Sequence, residues 1–243
     1  MRFQKYAIIS ALLATMHTVP AFGQSDKTRD RADTKKNDTA ERLETAATVL
    51  RDVRGGKDTI PEDLIRDAHC AVVVPGLKKG AFIVGAKYGK GFITCKEADG
   101  KGPWSAPAAI RIEGGSVGFQ VGASETDVIM LVMNDQGERS LLSSQFTLGG
   151  EGEVAAGPVG RSATAQTDAK LTAGILSWSH SRGAFAGISL QGATLREDKE
   201  DNAELYGKKL TSQEVVKGKT VIPAAAKDFL QALAVTASPA GSK

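Results

Sequence analysis

Glycine constrains this chain more than any other residue. There are 27 in 243 residues, well above the usual ~7%, and they follow no collagen-like period. At that density helix is weakened, and turns, bulges and closely packed strands are favoured. From Cys70 onward the glycines separate short apolar runs that read as strands. Ala71 to Val74 is closed by Pro75-Gly76. Ala81 to Tyr88 and Gly91 to Lys96 flank Gly89-Lys90, which reads as a hairpin turn. Ala108 to Ile112, Ser116 to Gly122 and Asp127 to Asn134 follow. The last carries apolar residues on both faces and is expected to be central. Asn134 to Gly137 reads as a turn and Ser140 to Gln145 as a short helix. Lys170 to Ser179 and Ala184 to Leu195 suggest a second hairpin around Ser181-Arg182-Gly183.

Helical patterns bracket these strands. Leu43, Ala46, Ala47, Leu50 and Val53 form one apolar stripe at helical spacing, with Asp38 and Glu41 as a capping pair and Gly55-Gly56 as the stop. Pro61 opens a short helix to about His69. Toward the end, Lys199 to Tyr206 stops at Gly207, Thr211 and Glu214 form a capping box, and Pro223 opens a helix with Phe229, Leu230 and Leu233 on one face. Helix, many strands, then helix predicts one α+β domain at 38–233, with a mainly antiparallel sheet or barrel-like core flanked by N- and C-terminal helices. A tail at 234–243 reads as flexible. At 41% apolar and 24% charged the composition is that of an ordinary soluble globular protein.

The first 23 residues read as a secretory signal. Arg2 and Lys5 precede the apolar Tyr6 to Thr15, and Ala21 and Gly23 stand where cleavage needs small residues. The apolar run is too short to span a bilayer. Residues 24–37 mix charges without a large apolar side chain and are expected to be a disordered tether. The chain is thus expected to be exported, periplasmic or secreted, and peripheral to a membrane. Loss of Arg2 and Lys5 lowers the formal charge from +3 to +1, which removes the electrostatic case for nucleic acid. In an oxidising compartment Cys70 and Cys95 are either a disulfide or two buried thiols.

Signs of catalysis are weak. Gly114 to Gly118 matches the G-x-S-x-G pattern around Ser116, but the following residues continue as strand where a nucleophile elbow needs a helix. Gly150 to Ala155 resembles the start of a dinucleotide fingerprint, yet Gly157-Pro158 cuts off the helix that it requires. There is no P-loop. Three histidines and two cysteines argue against a Cys/His zinc site. No cofactor, metal or catalytic residue is therefore expected. Lys78, Lys79, Lys87, Lys90 and Lys96 stand in a stretch without acidic residues, either as a patch for anionic surfaces or as a solvated strand face that guards a sheet edge. The helix at 38–54, with Arg42, Arg51 and Arg54, either lies in a membrane interface or packs on its own sheet. Arg182 is either a hairpin tip or an anion contact.

From Glu41 to about Val216 the chain resembles the SYLF domain family. The likeness is carried in order by Glu41 to Val53, Ile60-Pro61, Val72 to Gly76, Lys79 to Phe82, Gly89 to Gly91, Trp104 to Ala108, Gly115 to Gly122, Asp127 to Asn134, Ser181 to Leu190 (SRGAFAGISL), Gly192-Ala193, Asn202 and Tyr206-Gly207. The resemblance implies a non-enzymatic domain binding anionic phospholipid or phosphoinositide-type head groups. The expected contacts here are Lys78, Lys79, Lys87, Lys90, Arg182, Arg42 and Arg51. An envelope protein that binds another protein is the alternative, and a serine hydrolase using Ser116 the more distant one.

Overall fold

Two long strands organise the molecule. A computed structural model describes residues 25–55, 59–149, 154–159, 174–181, 184–185, 190 and 192–234. At 25–37, 81–84, 98–99, 116–122 and 184–185 it describes the backbone alone. Helix α1 (Ser25–Gly55) and α2 (Glu62–Asp67) lead into β1 (Cys70–Cys95), and α3 (Glu97–Gly100) leads into β2 (Ala108–Val132). Then come α4 (Asp135–Leu141), β3 (Gln145–Thr147), β4 (Val154–Ala156), β5 (Ile175–Ser181), β6 (Ala184–Phe185) and β7 (Thr194–Glu197). The chain closes with α5 (Lys199–Tyr206), α6 (Ser212–Lys217), a 3₁₀ turn at Ala224–Ala226 and α7 (Lys227–Leu233). The strands join one sheet in the order β3-β7-β2-β5-β4, with β1 beside β2 and β6 beside β5. Its pairs are antiparallel except β4 with β5. The α+β reading, with a mainly antiparallel half-barrel core, therefore holds.

Gly89-Lys90 is not a turn. β1 pairs with β2 along its whole length, from Cys70 opposite Val132 to Ile93 opposite Ala108. The ribbon that they form bends back on itself. The Cα atoms of Cys70 and Cys95, at the two ends of β1, are 3.9 Å apart, and the Lys96 amide donates to the His69 carbonyl at 2.8 Å. Burial confirms that the two halves of β1 lie side by side. Cys70, Val72 and Val74 share one apolar cluster with Ile93 and Cys95, while Ala71 and Val73 share the other with Phe92. The glycines make this approach possible. A Cβ on Gly91 would lie 2.1 Å from the Val73 carbonyl oxygen, and one on Gly89 would lie 2.8 Å from Leu77 Cδ1. Glycine is needed here for closeness rather than for turning. Gly91→Ala is expected to cost about 1–3 kcal/mol, while Gly80→Ala, with nothing within 4 Å of its added Cβ, melts with wild type. Thermal melts of the two variants check this.

The sheet has two apolar faces. The first cluster holds Val128, Met130 and Val132 from β2 together with Phe146, Leu195 and Val215. The second holds Ile129 and Leu131 with Leu43, Ala46, Ala47, Leu50 and Val53 of α1, Ile65 of α2 and Phe229 of α7. The stripe of α1 is thus packed on its own sheet.

Three further expectations need correction. Residues 25–37 continue α1, although a disordered tether was expected there. Neither glycine nor proline occurs from Ser25 to Arg54, and a nucleated helix propagates at little cost. Asn134 to Gly137 starts α4 and is not a free turn. The Asn134 side chain accepts from the Gly137 amide at 2.8 Å, so the helix lies some five residues earlier than its pattern suggests. The hairpin around 181–183 is formed by β5 and β6, but it does not extend to Leu195: β7 pairs with β2 and β3 and, among the described residues, not with β5. By contact, residues Met1–Thr34 form one unit and Lys35–Lys243 another. In its described part the first is helix. The signal segment, Gly150 to Glu153 and the tail beyond Ala234 lie outside the described residues.

Candidate functional site

The middle of the β1–β2 ribbon stands apart from the rest of the sheet. β2 meets β7 through Ile110–Glu113 and β5 through Asp127–Val132. Between those stretches its described partner is β1 alone. Lys78, Lys79 and Lys87 fall on this part of the ribbon. Lys78 is exposed and faces Glu125 across the strands; Lys79 is half-buried opposite Ser124. Lys87 is opposite Gly114 and only 7% exposed. Burial first, and then the charge of Lys79, hold the Lys87 ammonium below the ordinary lysine range. The two lysines therefore repel each other in a site partly withdrawn from water. The β1–β2 register shifts between Phe82 and Val84, in a stretch whose sequence supplies Phe82, Ile83, Val84, Val117, Phe119 and Val121.

Other predicted contacts are engaged elsewhere. Lys90 Nζ lies 2.9 Å from Asp198 Oδ2 and 2.8 Å from Asp201 Oδ1. Arg42 Nη1 lies 2.7 Å from Asp201 Oδ2. Burial by itself would lower Lys90, but the hydrogen bonds and charges of Asp201 and Asp198 hold it above its ordinary value. Asp198 is the reverse case. Burial would raise it, yet the Lys90 hydrogen bond, the Asp201 amide and the charges of Lys90 and Arg111 hold it below. Lys90 and Arg42 therefore lock α1 and β1 to α5, a use that sequence spacing does not reveal. Arg51 is exposed on α1 and donates to Thr48 Oγ1 at 3.1 Å. Arg182 lies outside the described residues.

Lys96, grouped by sequence with the other lysines, is 8% exposed. Its ammonium donates to the carbonyls of Ile65 and Arg66 at the end of α2 and sits 4.7 Å from the centre of the Trp104 ring. Burial, opposed by Asp67 and reinforced by Arg66, lowers its pKa. It serves as a helix C-cap and does not contribute to a surface patch.

Cys70 and Cys95 are joined as a disulfide and fully buried. Ser116 lies within β2, opposite Gly85, with strand on both sides. That placement lacks the helix on which a nucleophile elbow depends. No helix among the described residues is long and apolar enough to cross a membrane.

The fold is a two-stranded ribbon on a half-barrel sheet backed by helices, with Lys78, Lys79 and Lys87 on the ribbon. Residues 113–236 match the Ysc84 family, described as Las17-binding protein actin regulator, and the chain belongs to that family. It is 35% identical over 199 residues to Protein YSC84 of Saccharomyces cerevisiae, a match spanning 77% of this chain and 42% of that protein. Over 195 residues it is 35% identical to SH3 domain-containing YSC84-like protein 1 of Homo sapiens, covering 77% of this chain and 56% of the human one. SH3 domain-containing protein PJ696.02 of Schizosaccharomyces pombe is 33% identical over 186 residues, 75% of this chain and 43% of its own. The chain spans about half the length of these curated relatives.

Proposed function

We propose that this chain is a non-enzymatic, exported protein of the cell envelope that binds anionic phospholipid or phosphoinositide-type head groups. Lys78, Lys79 and Lys87 neutralise phosphate while the apolar bend of the ribbon enters the head-group boundary. Arg51 and Arg182 are secondary contacts. The observation that carries this reading is the juxtaposition of Lys79 and the partly desolvated Lys87 on ribbon that pairs with no other described strand. The disulfide accords with an oxidising compartment.

Flotation with vesicles of neutral lipid, with and without added phosphatidylserine or phosphatidylinositol phosphate, tests the proposal. Binding is expected only to the charged vesicles and weakens as salt rises. Each lysine near an anionic surface is worth about 1 kcal/mol. Replacing both Lys78 and Lys79 with Gln therefore weakens binding roughly 30-fold. Binding that ignores both lipid charge and salt overturns the lysine mechanism. The family description, Las17-binding protein actin regulator, favours a second reading, an adaptor that holds another protein. Complete failure to float with any vesicle would leave that reading standing.

A further inference from the structure

His69, Asp135 and Glu138 come together on the side of the sheet where β1 begins and α4 starts. None of them belongs to the lysine site. The backbone of His69 is fixed on both sides, its amide donating to the Val132 carbonyl at 2.7 Å and its carbonyl accepting from the Lys96 amide at 2.8 Å. Its ring packs over Gly100, where a Cβ would lie 2.8 Å from Cδ2. Backbone bonds therefore fix the position of His69, and its ring lies against Gly100.

The unusual group is His69 Nδ1. It is buried and has no hydrogen-bond partner among the described residues. Yet Asp135 Oδ1 is 3.1 Å from it and Glu138 Oε2 3.4 Å. Both carboxylates are close, and neither is aligned as a hydrogen-bond acceptor. Asp135 and Glu138 stand three residues apart on α4, which places them on one face. The Asn134 cap on the Gly137 amide fixes that first turn. Glu138 is buried, and its other oxygen, Oε1, is paired with Lys217. That pairing leaves Oε2 directed at the imidazole and partly neutralises two adjacent carboxylates.

All three ligand atoms lie within 4.8 Å of one another. A tetrahedral ion with nitrogen and oxygen ligands at about 2.0–2.2 Å has ligand-to-ligand edges of about 3.3–3.5 Å. The two histidine-to-carboxylate separations, 3.1 and 3.4 Å, lie close to such edges. We propose that His69 Nδ1, Asp135 Oδ1 and Glu138 Oε2 bind a divalent transition-metal ion, with zinc the best match. One imidazole with two carboxylates suits zinc, whereas an all-oxygen set would suit calcium or magnesium. Asp135 and Glu138 also line a cavity of about 430 Å³ and His69 lines another of about 590 Å³, so water can reach the cluster and complete the shell. Sequence alone argued against a Cys/His zinc site. This one uses neither cysteine, and His69 is separated from its carboxylates by more than sixty residues of chain.

The full chain, with its disulfide intact and stripped by a chelator, is titrated with Co²⁺ and then with Zn²⁺. One Co²⁺ per chain is expected, with the visible absorption of four-coordinate cobalt, and Zn²⁺ displaces it. Zn²⁺ also raises the Tm. Asp135 is 57% exposed in its side chain, so Asp135→Asn leaves the fold intact and is expected to weaken Zn²⁺ binding at least tenfold, as is His69→Gln. Circular dichroism and a melt in chelator verify that each variant is folded. Absence of saturable Co²⁺ or Zn²⁺ binding overturns the proposal. So does binding at wild-type affinity in folded Asp135→Asn and Glu138→Gln, which would put the ion on another group. Vesicle flotation reads a different surface, so the two proposals fail separately.

Discussion

Asp201→Ala is expected to destabilise the protein by about 3–5 kcal/mol, the usual consequence of removing one partner from a buried ion-pair network. The Asp201 carboxylate is almost wholly buried. It receives Lys90 at 2.8 Å and Arg42 at 2.7 Å. Without it, Arg42 loses its partner, and Lys90 keeps Asp198 alone. α1 also loses a polar tie to α5, though the Thr39 hydroxyl still donates to Glu204 at 2.6 Å. Asp201→Asn removes charge while keeping shape and is expected to cost less. For a folded unit of this size 1 kcal/mol moves the Tm by roughly 2–4 °C, so Asp201→Ala lowers it by about 10 °C, measured by calorimetry. The pH dependence has a definite sign. The folded pKa of Asp198 is depressed, so its contribution is present above the ordinary aspartate value of 3.8 and is lost as pH falls through the lower folded value. Lys90 is raised, so its contribution is complete below 10.5 and is lost as pH rises through the higher folded value. Asp201→Ala removes part of what raises Lys90, and the alkaline loss therefore moves to lower pH. A variant that melts with wild type would show that the network adds no net stability.

Local pattern foretold the elements whose causes are local. Thr211 and Glu214 form the expected capping box, with the Thr211 hydroxyl accepting from the Glu214 amide at 3.1 Å and the Glu214 carboxylate accepting from the Thr211 amide at 2.8 Å. α5 ends where Gly207 takes a left-handed φ of 73°. The doubly apolar run at 128–132 does sit between two cores. What local pattern missed was caused at a distance. Gly89 and Gly91 look like a turn because turn glycines and close-approach glycines are the same residue. Only Val73, Val74 and Leu77, more than ten residues earlier, distinguish the two uses. Lysine spacing likewise grouped Lys78 and Lys79, adjacent on β1, with the other lysines of the stretch. It did not separate them from Lys90, whose aspartates are over a hundred residues away. Asn202 shows the same limit: fully buried, its Oδ1 accepts from the Ala109 amide at 2.7 Å and its Nδ2 donates to the Leu210 carbonyl at 2.9 Å. Its place in the family likeness thus has a structural cause.

Opening the disulfide is expected to cost about 3–4 kcal/mol, from the chain-entropy estimate for a loop closed across a separation of 25 residues. Reduction, or the double variant Cys70→Ala with Cys95→Ala, therefore lowers the Tm by about 10 °C. Alanine is the appropriate replacement because both sulfurs are fully buried, and serine would add an unsatisfied hydroxyl. The bond closes the ribbon. It joins the two ends of β1, and the seam that it holds is the one where Gly91 meets Val73. The cysteine pair and Gly91 thus act on one structural contact, and their effects should not add. In the protein lacking the disulfide the halves are free to separate, so a Cβ at position 91 finds room. Gly91→Ala is then expected to cost less than it does in the oxidised protein. Full additivity in the cycle of melts would mean that the disulfide and the glycine seam are independent. Coupling would mean that oxidation sets the bend of the ribbon, and with it the distance between Lys79 and Lys87. Vesicle binding should then fall on reduction even at temperatures where the protein remains folded.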